Sequence, residues 1–333
     1  MANGKQTKSQ NKLIMKKIIN SIIALWLLSI PTKGISQQDP HYTQFMFNKL
    51  AFNPAYAGSA KGTCLIGLYR NQWVGFEGHP ITQVIGLHTS LKDDRVGLGL
   101  NMVRDRIGPT TSINIQGSYA YRIPLGTGDL AFGLMARIHD YKLDFSDAQV
   151  NEAFDLLIES PDANRALINA GAGVYYENER FYAGISVPRL IKNDISLLPD
   201  DVDSGTNTAV EETHAYLMAG ALFPLSEKVQ LKPAALLKYA RNTPLNFDLH
   251  AGLLLNELVY TGLTYRLGEE SIQNMGESID VVLQLYLNDF FTLGGAFDFT
   301  LSELADFQSG SFEILLQYCF IRDREKVTNP RFF

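Results

Sequence analysis

The chain has 333 residues, 46% hydrophobic, 11% aromatic and 19% charged, with 27 Gly, 15 Tyr, 19 Phe and a formal charge of −6, and its mean hydropathy is −0.04. So much apolar and aromatic side chain excludes a disordered polymer, and two Cys exclude a disulfide framework or a zinc ribbon. Past residue 30 no apolar run approaches the ~20 residues of a membrane-spanning helix, which leaves a large β-rich or mixed protein.

Residues 1–36 hold six lysines (Lys5, Lys8, Lys12, Lys16, Lys17 and Lys33) and no acid. An apolar stretch from Ile18 to Ile30 follows, and small residues stand at Gly34 and Ser36. This is the layout of a secretory signal peptide with its cut after Ser36, leaving Gln37 first. Met15 opens a complete signal of its own, so translation starting there is an alternative. Removal of the leader leaves 23 basic residues against 35 acidic ones, a net −12, and so acidic a protein lacks the basic face that nucleic acid requires.

Residues 37–61 precede any strand pattern. Asn53-Pro54 and Gly58 signal turns, and Tyr42, Phe45, Phe47, Phe52 and Tyr56 supply aromatic anchors. The expectation is a segment folded into or under the mouth of the following domain, as a plug.

From residue 62 the apolar residues recur every second position, the strand period. Val96, Leu98, Leu100 and Met102 alternate with Gly97, Gly99 and Asn101. Ile279, Val281, Leu283 and Leu285 alternate with Asp280 and Gln284. Fourteen such segments are expected, at 62–70, 82–91, 95–104, 112–123, 129–143, 166–177, 180–187, 212–224, 228–240, 246–255, 257–267, 277–287, 290–301 and 311–320. Most match the ~9–11 residues that cross a bilayer at a tilt. Links after even-numbered strands are short. Those after odd-numbered strands run to about 7 to 24 residues, with RNTPL after the ninth as the exception. An outer-membrane barrel segregates loop length this way, with short periplasmic turns and long outer loops, whereas a soluble sandwich has no reason to. The fold expected is therefore an all-β transmembrane antiparallel barrel over 62–320, with a periplasmic tail over 321–333.

On this reading Tyr69, Tyr121, Tyr141, Tyr176, Tyr265, Phe290, Phe291, Tyr318 and Phe320 form interfacial girdles. Arg95, Arg122, Arg137, Lys238, Asp248, Asp280, Asp298 and Glu313 point inward, because a basic side chain facing mid-bilayer lipid costs about 2–4 kcal/mol. Glycines at 97, 99, 133, 184, 252 and 294 make room in a crowded lumen or relieve curvature. Cys64 and Cys319 fall near one rim on the first and last strands. They are either joined across the seam or held apart by shear beyond the ~7 Å limit.

Several stretches resemble the PorP/SprF family of type IX secretion and gliding proteins: QQDPHYTQFMFNKLAFNPAYAG from Gln37, YRNQWVGFEGHPITQ from Tyr69, DRIGP at 105–109, LKPAALLK at 231–238, and FDFTLSELADFQSGSFEILLQY with the closing NPRFF. The resemblance runs from 37 to 333 in order. Its motif residues are Asp39, Pro40, Asn53, Pro54, Tyr56 and Gly58 in the N-terminal segment. The first outer loop adds Gln72, Trp73, Gly75, Phe76 and Pro80, and the C-terminal block adds Gly310, Ser311 and Glu313. It implies a non-enzymatic outer-membrane barrel that works with a secreted surface adhesin or other type IX-secreted protein. Secretion and gliding components and outer-membrane lipid are its expected partners, and no cofactor is implied.

The residues suggest no contrary chemistry. His41, His79, His88, His139, His214 and His250 lack metal-site spacing, and nucleotide or hydrolase motifs are absent. A barrel esterase would draw on His88-Thr89-Ser90 or His139-Asp140. The stronger rival is a porin-like or hydrophobic-solute channel, since barrels of this size enclose a lumen. The acidic outer loops 144–165 and 188–211 are the expected dock for a secreted partner.

Overall fold

The computed structural model describes residues 39–144, 163–194, 210–241, 243, 245–268 and 276–321. The expected leader, most of the two long acidic loops and the tail beyond 321 lie outside the described residues.

Alternation becomes a barrel wall. In chain order the strands are β1 (Gly62–Asn71), β2 (Ile81–Leu91), β3 (Val96–Ile107), β4 (Thr110–Leu125), β5 (Gly128–Leu143), β6 (Ala163–Glu177) and β7 (Phe181–Val187). A two-residue ribbon of β8 (Asn193–Asp194) and β9 (Val210–Glu211) follows. The wall resumes with β10 (His214–Ala221), continued past Leu222 by β11 (Phe223–Ser226). Then come β12 (Val229–Ala240), β13 (Asn246–Leu255), β14 (Val259–Leu267), β15 (Ser278–Tyr286), β16 (Phe291–Thr300) and β17 (Ser311–Ile321). Counting β10 and β11 as one stave, fourteen antiparallel staves close on themselves. β1 pairs with β17, and β10 joins β7 to β12. Closure leaves no edge, which is what a sheet in lipid requires.

One face of each stave is apolar and outward. Ile85, Leu134, Ile168, Leu263 and Ile314 are 50–69% exposed, while their sequence neighbours point into the lumen. Short turns gather at one end, between β2 and β3, β4 and β5, β6 and β7, β11 and β12, β13 and β14, and β15 and β16. The longer connections gather at the other. We name these the turn end and the loop end. β1 starts, and β17 finishes, at the turn end.

Three expectations need correction. The link between the third and fourth strands is not a long loop. Asp105 and Arg106 stay in the ladder opposite Ser112 and Thr111, so only Gly108 and Pro109 remain to turn, with Gly108 at φ +53. Arg95 does not face the lumen; it lies exposed in the turn before β3. Tyr141 shares the inward parity of Arg137 and His139 on β5, and its ring centroid lies 4.0 Å from that of His139. It therefore belongs to no outer girdle.

The seam is bonded. Cys64 and Cys319 are directly opposite in the β1–β17 ladder, and a disulfide joins them with Cα atoms 4.1 Å apart.

Candidate functional site

Residues 39–61 lie inside the wall. Tyr42, Phe45, Leu50, Phe52, Ala55, Tyr56 and Ala57 are buried, as are Thr43, Gln44, Asn48, Lys49 and Asn53. The segment reaches strands all round the barrel and descends from the loop end, where Asp39 sits, to the turn end, where β1 begins.

At the loop end it is held by charge. The Thr43 and Gln44 backbone N–H groups each donate to the Glu313 carboxylate at 3.0 Å, and the Thr43 hydroxyl donates to Asp298 at 2.7 Å. Arg70 on β1 donates to the Thr43 hydroxyl at 2.7 Å and lies 2.6 Å from Asp298 and 3.4 Å from Glu313. Arg266 extends the array to Asp248 (3.1 Å), Asp280 (3.3 Å) and Asp298 (3.7 Å), and Lys238 adds a 2.7 Å pair with Asp248. All are buried. So many charges in one dry place persist only by pairing.

A second ionic group closes over the first residues of the segment. Asp39 is paired with Arg137 at 3.2 Å and with Arg189, and accepts from the Tyr216 hydroxyl at 3.0 Å. Burial works to raise the Asp39 carboxyl, but the charges of Arg189 and Arg137 outweigh it and hold it well below the usual range. Glu211, on the ribbon, accepts from Asn169 (2.9 Å) and Asn193 (3.0 Å) and lies 3.3 Å from His139 and 3.6 Å from Arg189. Burial again pushes upward; the His139 hydrogen bond and the Arg189 charge bring Glu211 down to about 2. This group ties the chain on either side of the long connection between β7 and β10 to the lumen wall.

At the turn end packing takes over, and the FNPAYAG motif explains how. Asn53 caps a 3-10 turn with Pro54 in its first position; its side-chain oxygen accepts from Ala55 N at 3.0 Å. The same amide donates to the Val174 carbonyl on β6 at 3.0 Å. Tyr56 packs against Tyr175 and His88, with ring centroids 5.5 and 5.3 Å away. The Lys49 ammonium lies 4.2 Å from the Tyr182 ring centroid. Gly58 turns at φ +77 and donates its N–H to His88. Opposite it, a Cβ on Gly97 would overlap the Ala57 carbonyl. Gly97 is where the wall makes room for the segment.

Of the voids bordered by described residues, one is about 20 Å³, between Met46, Lys49, Tyr182, Lys232 and Tyr260. Another is about 10 Å³, beside Asp39 and His41. These hold about one or two waters.

Two of the three motif groups singled out in the sequence, those of the first outer loop and of the C-terminal block, meet at the loop end beside the seam. Val74 N donates to Gly310 O at 2.9 Å, Ser309 N to Val74 O at 2.8 Å, and Trp73 N to the Ser311 hydroxyl at 3.1 Å. The first loop thus zips onto the last, and Gly108 N donates to Gly78 O to hold its other side. Gln72 N closes the loop on Pro80 O at 3.0 Å. Trp73 (φ +55) and Gly75 (φ +94) make the bend. Phe76 and Phe307 remain 43% and 68% exposed on this platform. Below it, Glu313 receives the N-terminal segment. Asn53, Pro54, Tyr56 and Gly58 stand apart from this cluster, in the turn-end half, and Pro40 lies half-buried next to Asp39.

Sequence reasoning missed Arg70, Arg189, Glu211 and Tyr216. For Arg70 a signal existed: it sits at lumen parity in β1, among Cys64, Ile66 and Leu68. His88, His139, His214 and His250 are lumen-facing and buried. Among the described residues no cluster could hold a metal ion.

The model of the type IX secretion system membrane protein PorP/SprF matches residues 34–318. The chain belongs to that family. No curated protein matches by sequence. Among solved structures, a channel shares the fold of this PorP/SprF member. The CymD monoaromatic hydrocarbon channel is 13% identical over 87% of this chain and 96% of its own, with TM-score 0.50. The Acinetobacter baumannii outer membrane protein Omp33 is 8% identical over 78% and 98%, with TM-score 0.42. At these identities the likeness concerns the fold alone. The PorP/SprF chain is thus an outer-membrane-type barrel of the type IX secretion membrane family, with residues 39–61 inside its wall.

Proposed function

We propose that this barrel is a non-enzymatic component that helps secrete, or anchors at the cell surface, a type IX-secreted protein of the gliding-adhesin type. The observation that carries the reading is the occupied lumen. Residues 39–61 are fixed to the wall by ion pairs at one end and by aromatic packing at the other, which suits a scaffold better than a solute path. Family membership supplies the secretion context. In the proposed orientation the turn end and the tail from 321 face the periplasm, the loop end faces outward, and the leader is removed after Ser36. The zipped first and last loops, with Phe76 and Phe307 exposed, then add a rigid docking surface to the acidic outer loops.

Two measurements decide between this and the rival channel. Deleting the gene should release one particular surface protein into the medium or strand it in the periplasm, and that protein should co-purify with the barrel from outer membrane. Purified barrel in planar bilayers should conduct ions poorly. Steady open-channel currents, with no surface protein mislocalised in the deletion strain, would instead make it a transport barrel.

A further inference from the structure

The loop-end rim of the outer wall is not uniform. Going round from β12 to β1, its outward positions are Tyr239, Phe247, Tyr265, Ile279, Phe299, Phe312 and Tyr69, an apolar and largely aromatic border. On β3 the same border is cationic. Arg104 and Arg106 are exposed on the outward face. Two residues apart on one strand, they stand about 7 Å from each other. The ladders place Arg106 in one row with Thr111 of β4 and Lys142 of β5. Arg104 stands opposite Gln83 of β2, to which its guanidinium donates at 3.4 Å.

Directly toward the turn end the same faces become aliphatic. Ile85, Leu100, Met102, Ile115 and Ile138 are 39–60% exposed, and they form the belt that lipid chains cover. Two carboxylates share the patch. Asp144 lies 3.8 Å from Lys142, and Asp140 is in the row of Arg104. Neither stands beside Arg106 in the ladder. Guanidinium groups are the side chains best shaped for phosphate oxygens. Here they sit at the depth where an acyl chain lying on the belt meets its headgroup.

We propose that Arg104, Arg106 and Lys142 form the headgroup site of a phosphorylated outer-leaflet lipid whose chains lie on the aliphatic surface of β2 to β5. The site rests on the proposed orientation, with the loop end outward, but not on the identity of any secreted partner. The occupant is a lipid rather than free phosphate because the cations continue directly into the apolar belt. A free ion would have no use for that belt.

The test uses the full-length barrel in detergent and native mass spectrometry. The probes are diphosphoryl lipid A, the same lipid with both phosphates removed, and inorganic phosphate. Diphosphoryl lipid A should bind at least tenfold more tightly than its dephosphorylated form. R104Q/R106Q/K142Q should erase that preference while its thermal unfolding stays unchanged, since these side chains touch nothing in the lumen. K92Q/R95Q/K228Q, which removes exposed cations at the turn end, should leave binding as in wild type. Equal binding of the two lipid forms, wild-type preference in R104Q/R106Q/K142Q, or equal loss in K92Q/R95Q/K228Q would overturn the site. Full displacement of the lipid by millimolar inorganic phosphate would overturn the choice of a lipid. Loss of a surface protein from a deletion strain bears on the anchoring role alone, so the two readings fail separately.

Discussion

One peptide is gripped in two ways inside this barrel. In the loop-end half, Asp39, Thr43 and Gln44 meet Arg70, Arg137, Arg189, Asp298 and Glu313. From mid-lumen to the turn end, Phe52, Asn53 and Tyr56 meet rings and backbone carbonyls: the Phe52 ring centroid is 5.3 Å from that of Tyr216, the Ser186 hydroxyl donates to the Phe52 carbonyl at 2.7 Å, and Tyr56 lies on Tyr175. The first half depends on charge pairing, because one missing partner strands another buried charge. The second depends on shape and degrades gradually. An ionic grip fixes which residue lies where; an aromatic grip supplies burial.

Substitutions can break this contrast in order of severity. The largest effect should come from Arg70→Met, which leaves Asp298 and Glu313 facing each other without their shared cation. The expected loss is about 3–5 kcal/mol, read by urea unfolding in detergent or bilayers. A loss below about 1 kcal/mol would mean that the loop-end array is not held by pairing. Phe52→Ala should cost about 3 kcal/mol, toward the lower end for a buried ring, since the segment has freedom to settle. Asn53→Ala removes the cap and the bond to Val174 O, and about 2 kcal/mol should follow. Hydrogen exchange should then show loosening confined to residues near 53–58, with the Thr43 and Gln44 amides still protected.

The mildest perturbation is acid. Asp39 and Glu211 both have carboxyls held below their ordinary values in the folded state. The stability they contribute is complete above the unfolded-state range near pH 4 and is lost as pH falls toward about 2 for Glu211. Unfolding curves at pH 7, 4 and 3 should therefore show a progressive loss. Asp39→Asn should flatten that dependence. An unchanged slope in Asp39→Asn would place the acid sensitivity elsewhere.

Much of the wall is readable because a strand exposes its period directly. Ile279 to Leu285 declare their lipid side without any knowledge of neighbours, and all fourteen staves lie within a few residues of their expected bounds. The β3–β4 hairpin escapes such a reading because Asp105 and Arg106 look like loop residues, although Asp105 faces inward to accept from Thr82 and the cost of the outward Arg106 charge at a rim falls to about 0–1 kcal/mol. Tyr141 misleads for the opposite reason: an aromatic near a strand end serves either face. The lumen is readable only in outline. Tyr42, Phe45, Phe52 and Tyr56 announce something that must be buried, and the wall glycines announce room for it. No local pattern tells Arg70, Glu313, Asp298 and Thr43 that they will meet. They come from the two opposite ends of the barrel sequence, Thr43 and Arg70 from one and Asp298 and Glu313 from the other, and only register and closure bring them together. The bond between Cys64 and Cys319 is likewise a question of register alone.

That bond gives the molecule a topology beyond its fold. From Cys64 through the whole wall to Cys319 the backbone forms one covalent ring, fastened at the turn end. Through that ring passes the segment that precedes the first strand, from Asp39 at the loop end down to Lys61. The result is a lasso with its tail drawn through the noose. A tail in a fastened noose leaves only by sliding lengthwise, so the ionic array need resist only motion along the barrel axis while the ring resists the rest.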